Sequence, residues 1–397
     1  MQKSRIAFGL IIPSVTKLSP IVDFLENAKK YGHEITDLII GYTNYLDQDV
    51  ISQLEKYCQV ITIKRGDSPF LNQQLSQLGL DPEEIDCLLR TPNFDKYQMV
   101  SYGTSRNYVL LTALLLQIDY LLFFDSDIYP YILRYDSGSH HYQNEEIDFV
   151  GSHLKYLQAE DDVVVTSSDY TGYYIIPKMD FPHLRDLLFG VQKEDKYQYI
   201  SHVKEPVVAQ HKLQHIFDTN KILGGNLAIN LHKLEILPPF FSTELVMDNE
   251  CFLGRGEDTL FSPIIHYYGG KCLDIDLLIF HDCFGDFPSV PSIDKPKNLE
   301  RFFYAMIGWA IRNPFYNWLR NQYFGFDQPI DYESRYQALI RGSKAAADFL
   351  GEPRFLMLPE AFQKSYEKLP QDIDNFLQLI TVWQKMTKKI VQQRKQK

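Results

Sequence analysis

The stretch DYLLFFDSDIYP, Asp119 to Pro130, decides how this chain is read. Five aromatic or aliphatic residues, Tyr120 to Phe124, run straight into Asp125, Ser126 and Asp127. A continuous apolar run of strand length reads as a parallel strand covered on both faces. Ending it on two carboxylates is costly unless a positive group compensates them, and a divalent cation does so. If the chain stays extended, Asp125 and Asp127 project to the same side, because strand side chains alternate. Hard oxygen ligands suit Mn²⁺ or Mg²⁺, which bind through one or two carboxylates and take further ligands from substrate phosphates and water. The plainer alternative is a strand end at which Asp caps a turn.

Outward from that strand the pattern alternates. RIAFGLIIPSV, ending at Pro13 and Ser14, reads as a first strand, and IVDFLENAKKYG as a helix stopped at Gly32. ITDLIIGYT and QVITIKR read as the second and third strands, with the helix DQDVISQLEKYC between them. Strands alternating with helices imply crossover units and an α/β fold with a mainly parallel sheet. An insertion follows with one helix start, Asp81–Pro82, before the apolar helix SYGTSRNYVLLTALLLQ. The Tyr-rich region from about 129 to 220 reads as irregular, with short strands at DFVGSHL and TGYYIIP. It follows the two carboxylates directly, which suits pocket-building loops beyond the strand ends. Pro288, Pro291 and Pro296 mark a linker, after which the pattern is mostly helical.

Composition bounds the partners. A formal net charge of −11 argues against nucleic acid, which needs a basic surface. Only the C-terminal KKIVQQRKQK is strongly basic, and it reads as a frayed, solvated helix end. Five scattered cysteines with no C-x-x-C pair look like reduced thiols, and no apolar run is long enough to span a bilayer. These features suit a cytoplasmic protein. RFFYAMIGWAIRNPFYNWLR, 301–320, can lie on a membrane surface. Packing against its own chain is favoured, with Pro314 breaking the helix.

The order of the remaining motifs is informative. SRN, with Arg106 and Asn107, opens the helix that feeds the DSD strand; GGN (Gly224, Gly225, Asn226), GED (Glu257, Asp258) and FHD (His281) follow. Read singly, Gly224–Gly225 can be a tight turn, Glu257 and Asp258 a helix first turn, and His281 a core residue. Taken in order over roughly Arg5 to Phe284, the set resembles the GT-A nucleotide-sugar glycosyltransferases. The nearest likeness is to the large, mostly inverting family that contains polysaccharide synthases and many bacterial sugar transferases. The resemblance implies a Rossmann-like GT-A fold over 1–290, with a nucleotide-binding half at 1–128 and a donor-sugar and acceptor half at 129–290. A helical region at 291–397 completes the chain.

The same resemblance implies roles by position. Pro13 and Ser14 lie beside the nucleotide, Arg106 near its phosphates, and Asp125 at the ribose or metal. Asp127 and His281 hold Mn²⁺ or Mg²⁺, and Gly224, Gly225 and Asn226 line the donor-sugar and acceptor pocket. Asp258, paired with Glu257, is the base that takes a proton from a hydroxyl acceptor. The implied activity is transfer of one sugar, with inversion, from a nucleotide diphosphate sugar to a glycan, lipid-linked or small hydroxyl acceptor. The chain departs from the family in lacking an acidic base-reading residue after the second strand, Asp47 being too far along. It also lacks the Q-x-x-R-W motif of processive synthases. Two other readings stand beside this one: a haloacid-dehalogenase-like phosphatase with Asp125 as nucleophile, and a catalytically silent binding protein.

Overall fold

The computed structural model describes residues 4–159, 161–209, 216–325 and 331–396. Its strands are β1 (Ile6–Val15), β2 (Asp37–Leu46), β3 (Gln59–Lys64), β4 (Tyr120–Phe124), β5 (Ile128–Asp136), β6 (His141–Glu146) and β7 (Val163–Ser167). They continue with β8 (Tyr170–Thr171), β9 (Phe217–Asp218), β10 (Asn226–Asn230), β11 (Glu244–Met247), β12 (Glu250–Leu253), β13 (Lys271–Asp274) and β14 (Ile279–His281). The α-helices are α1 (Ile21–Lys30), α2 (Gln48–Leu54), α3 (Pro69–Gln77), α4 (Pro82–Leu89), α5 (Phe94–Tyr97), α6 (Tyr102–Leu115) and α7 (Phe149–Leu157). The rest are α8 (Leu184–Gly190), α9 (Tyr197–His202), α10 (Glu257–Tyr267), α11 (Pro296–Phe324), α12 (Tyr332–Leu350) and α13 (Leu358–Gln396).

The central sheet runs β3-β2-β1-β4-β10-β7-β13-β9, and only β10 and β9 oppose the common strand direction. This is the expected mainly parallel α/β sheet, with a mostly helical C-terminal region. Its continuous apolar strands divide by parity. Ile6, Phe8 and Leu10 of β1 and Tyr120, Leu122 and Phe124 of β4 face one cluster, which contains Phe24 of α1 and Phe149 of α7. Ala7, Leu121 and Phe123 face the opposite cluster, with Leu110 of α6, Phe261 of α10 and Trp383 of α13. Both faces of β4 are therefore dry, and Phe124 stacks on Phe24 with ring centroids 4.3 Å apart.

Several expectations are corrected. DFVGSHL is not a strand but α7: Asp148 caps it by accepting from Gly151 N at 2.8 Å, and Phe149, Val150, His153, Leu154 and Leu157 form a buried helical stripe. The insertion holds α3 and α5 besides the Asp81-capped α4, and α3 is opened by Ser68 and Pro69. Pro314 does not break α11, which runs through it with Phe302, Phe303, Met306, Trp309 and Phe315 all buried. Burial on several faces holds the helix despite the missing backbone donor. The basic end is likewise part of α13, where Arg394 donates to the carbonyls of Leu114 and Leu231 at 3.2 and 3.5 Å.

No helix among the described residues is long and apolar enough to cross a membrane. The C-terminal helices share core with the sheet. Phe376, Trp383 and Met386 of α13 lie in the cluster of Leu75, Leu110 and Phe261, and the Trp383 indole donates to Leu237 O at 2.7 Å. Replacing Trp383 with Ala opens a cavity and orphans that carbonyl. It is expected to cost about 3–5 kcal/mol, read as a lowered urea midpoint for the whole chain. An unchanged midpoint would mean that α13 contributes nothing to the sheet's core.

Candidate active site

The carboxyl end of β4 is where the sheet delivers polar groups. The chain does not stay extended there. It turns at Ser126 and Asp127, with Ile128 N donating back to Asp125 O at 3.4 Å. The two carboxylates consequently meet different partners. Asp125 faces Arg106, Nη2 to Oδ1 3.6 Å, and Asp127 faces His281, Nε2 to Oδ2 3.3 Å. His281 arrives through strand pairing: β14 runs antiparallel to β5 with His281 opposite Ile128, and Asp282 N donates to Asp127 O at 2.9 Å. The side chains of Asp125 and Asp127 are each 38% exposed, so both remain open to a ligand.

Arg106 is the centre of the arrangement. It lies in the first half of α6, a helix buried on almost every face and capped by Ser101. Its Nε donates to Glu257 Oε1 at 2.8 Å and its Nη1 to Gly224 O at 3.0 Å. The guanidinium also sits over the Phe123 ring, 5.2 Å from its centroid. Burial works against its charge, but Glu257 and Asp125 outweigh that and raise its pKa above the ordinary arginine value. Glu257 is thus the counterion of Arg106 rather than a free base.

The two glycines are there for space. β10 pairs with β4 so that Asn226 lies opposite Phe124, bringing Gly225 beside Asp125. A β-carbon on Gly224 would overlap the Arg106 guanidinium, and one on Gly225 would stand 2.5 Å from Asp125 Oδ2 and 2.8 Å from the Tyr170 hydroxyl. Asn226 is not brought to this opening. It is fully buried, donating to Leu277 O at 2.8 Å and bonded to the His153 ring at 3.2 Å.

Asp258 sits in the first turn of α10, behind Gly256 in a left-handed conformation. Its Oδ2 accepts from Gly224 N at 2.8 Å and its Oδ1 from Thr259 N at 2.7 Å. Burial, with the neighbouring Glu257 charge, pushes its pKa up to about 6 against the pull of Arg106 and the two amides. For Asp127 burial also acts upward, but the His281 ring and Arg301 prevail and hold it below the usual carboxylate range.

Among the described residues no three His, Cys, Asp or Glu side chains converge to cage a cation unaided. Asp127 and His281 still fit a cation that takes its remaining ligands from a bound diphosphate, since one carboxylate and one imidazole suit Mn²⁺. Pro13 and Ser14 lie at a bulge at the end of β1, Pro13 exposed and Ser14 half-buried.

Several polar residues here escaped sequence reasoning. Arg65, just beyond β3, donates to Ser105 Oγ at 2.7 Å and to Ile12 O at 3.2 Å, while its buried Nε has no partner among the described residues. Its place at a parallel strand's carboxyl end was the available signal. Tyr170 stacks obliquely on His281, ring centroids 4.9 Å apart. Arg301, which contributes to the field at Asp127, comes from α11 and carries no local signature.

No family model and no curated protein matches the chain. Solved structures are distantly similar. One is glucosyl-3-phosphoglycerate synthase from Mycobacterium tuberculosis in complex with Mn²⁺, uridine diphosphate and glucosyl-3-phosphoglycerate: 13% identity, TM-score 0.39, covering 82% of this chain and 81% of that one. The same enzyme with Mn²⁺, UDP-glucose and glycerol 3-phosphate gives 13%, 0.38, and 82% of both chains. So distant a likeness leaves the chemistry of the site to this chain's own residues.

The raised pKa of Asp258 has a consequence for stability. Its carboxylate is disfavoured in the folded state, so its contribution is intact below about pH 4 and is lost as pH rises through about 6. Asp258→Asn removes that cost. The variant also turns an NH₂ group onto one of the Gly224 and Thr259 amides, so the expected result is a trend: its stability relative to the parent is greatest at pH 7.5 and falls toward pH 4. A difference in melting temperature that is the same at both pH values would show that Asp258 ionises without penalty.

Proposed function

We propose that the protein is a metal-dependent glycosyltransferase that moves one sugar, with inversion, from a nucleotide diphosphate sugar to a hydroxyl acceptor. The observation that carries the reading is the Arg106 ion-pair set. Through Arg106 and Gly224, the Asp125–Asp127 end of β4 and the Glu257–Asp258 end of α10 become one site. The first pair suits a leaving diphosphate and the second suits a proton.

In this reading Pro13, Ser14 and Arg65 border the nucleotide at the ends of β1 and β3. Asp127 and His281 hold Mn²⁺ or Mg²⁺, which when bound neutralises the departing diphosphate. Arg301 adds positive charge on the same side, and Arg106 fixes the direction of Asp125. Asp258 accepts the proton of the acceptor hydroxyl while that oxygen bonds to the anomeric carbon. The bond from that carbon to the diphosphate oxygen breaks, and its electron pair leaves on the diphosphate. Gly224 N and Thr259 N orient the Asp258 carboxylate, and a pKa of about 6 leaves it ionised yet basic at neutral pH. The phosphatase reading is less favoured, since its nucleophile, Asp125, is turned toward Arg106.

The reading predicts metal-dependent binding of a nucleoside diphosphate, measurable by calorimetry over the common bases with and without Mn²⁺. Asp127→Ala should lose the metal-dependent part. Asp258→Asn should keep it while turnover of the donor falls about 10²–10⁴-fold. In the parent, turnover should decline as pH falls through about 6, where Asp258 becomes protonated. Full turnover in Asp258→Asn would remove it as the base, and absence of any nucleotide binding in the parent would leave the silent binding protein.

A further inference from the structure

Beside Asp258, on the flank formed by α11 and the turn after α8, lie two cations that the proposed chemistry does not use. Arg312 is 4% exposed and lies against Gly256, the residue that begins α10, where a β-carbon would collide with its Nη1. Its Nη2 donates to Asn313 Oδ1 at 2.8 Å, its buried Nε has no partner among the described residues, and its guanidinium covers the Tyr316 ring at 4.9 Å. Lys193 is half-buried, with Nζ 4.9 Å from the Trp309 ring centroid. Its turn is held on α11 by Asn313 Nδ2, which donates to Val191 O at 2.7 Å.

Among the described residues neither Lys193 nor Arg312 has a carboxylate within ion-pair distance. The carboxylates whose fields reach Arg312 are Asp258 and Glu257, and those that reach Lys193 are Asp195 and Asp258; of these Glu257 is already ion-paired with Arg106. Burying one unpaired cation is costly, and burying two side by side is more so. Burial together with the Arg312 charge lowers Lys193 to about 8, against the opposing fields of Asp195 and Asp258. Ring faces at Tyr316 and Trp309 shield the cations without neutralising them.

We propose that Lys193 and Arg312, beside the first turn of α10, form an oxyanion subsite, and that the acceptor is a small anionic alcohol carrying a phosphate monoester or a carboxylate. Arg312 forms the floor and half-open Lys193 the mouth. An anion seated there presents its alcohol oxygen to Asp258, two residues from Gly256. The subsite deepens the glycosyltransferase reading by naming its acceptor class, and its test is kept separate from the donor.

The full-length chain is first saturated with Mg²⁺ and the nucleoside diphosphate, then titrated calorimetrically with methyl phosphate, acetate or glycerol. Saturable binding of one oxyanion and none of glycerol is expected, with methyl phosphate or acetate the tighter according to the group carried by the acceptor. Lys193→Met and Arg312→Gln should each weaken that binding about tenfold or more, the loss of a charge-assisted hydrogen bond. Nucleotide binding should be unchanged in Lys193→Met. If Arg312→Gln does not fold, Lys193→Met, at a half-open turn, carries the test alone. Absence of saturable oxyanion binding in the parent, or binding within twofold of the parent in Lys193→Met, overturns the subsite. Oxyanion binding that depends on Lys193 without any nucleotide binding would instead overturn the donor reading and leave the subsite standing.

Discussion

The buried guanidinium of Arg106 is the constraint on which the site depends. It sits at 4% exposure between an aromatic ring, a main-chain carbonyl and two carboxylates contributed by β4 and α10. A charge in that position is tolerable only while every partner is present. The dependence is mutual: without Arg106, Glu257 would be a buried anion with no cation, and Asp258 would lose the charge that opposes Glu257. Gly224 and Gly225 belong to the same constraint, because β10 must approach closely enough for a carbonyl to reach the guanidinium. Substitutions among these residues should be strongly non-additive.

Much of the fold was legible because burial on both faces writes itself into strands as unbroken apolar runs. β1 and β4 are such runs, and their parity sorts their side chains between the two helical layers. α7 was misread although its signal was present. Buried residues at 149, 150, 153, 154 and 157 follow helical spacing behind an Asp cap, although a seven-residue run with β-branched Val150 also fits a short strand. Pro314 illustrates the opposite failure. A rule about local backbone chemistry lost to the tertiary burial of α11.

The site was legible where its residues sit in short linear clusters, as at 125–127, 224–226 and 257–258. What the motifs could not reveal was direction. The turn at Ser126 sends Asp125 and Asp127 to separate partners, the Arg106 bond occupies Glu257, and Asn226 turns into the core. Tyr170 and Lys193 escape the sequence for a different reason. Each is a single residue from a separate segment, and only the folded chain brings it to the site, whereas Arg65 ends the readable third strand.

Helix α11 makes the same point at larger scale. Its arginines at 301 and 312 are eleven residues apart, close to three full turns, which puts them on one face roughly 16 Å apart along the axis. In the sequence that pairing looks like the charged edge of a surface helix. In the structure Arg301 contributes to the field that holds Asp127 ionised, while Arg312 lies against Gly256 next to the acidic first turn of α10. One helix face therefore touches both ends of the site, and the apolar residues between the arginines anchor it in the core. The two arginines thus bring positive charge from one helix to Asp127 and to the first turn of α10. The C-terminal helices therefore contribute to the electrostatic field around Asp127 and Asp258 as well as to the core of the sheet.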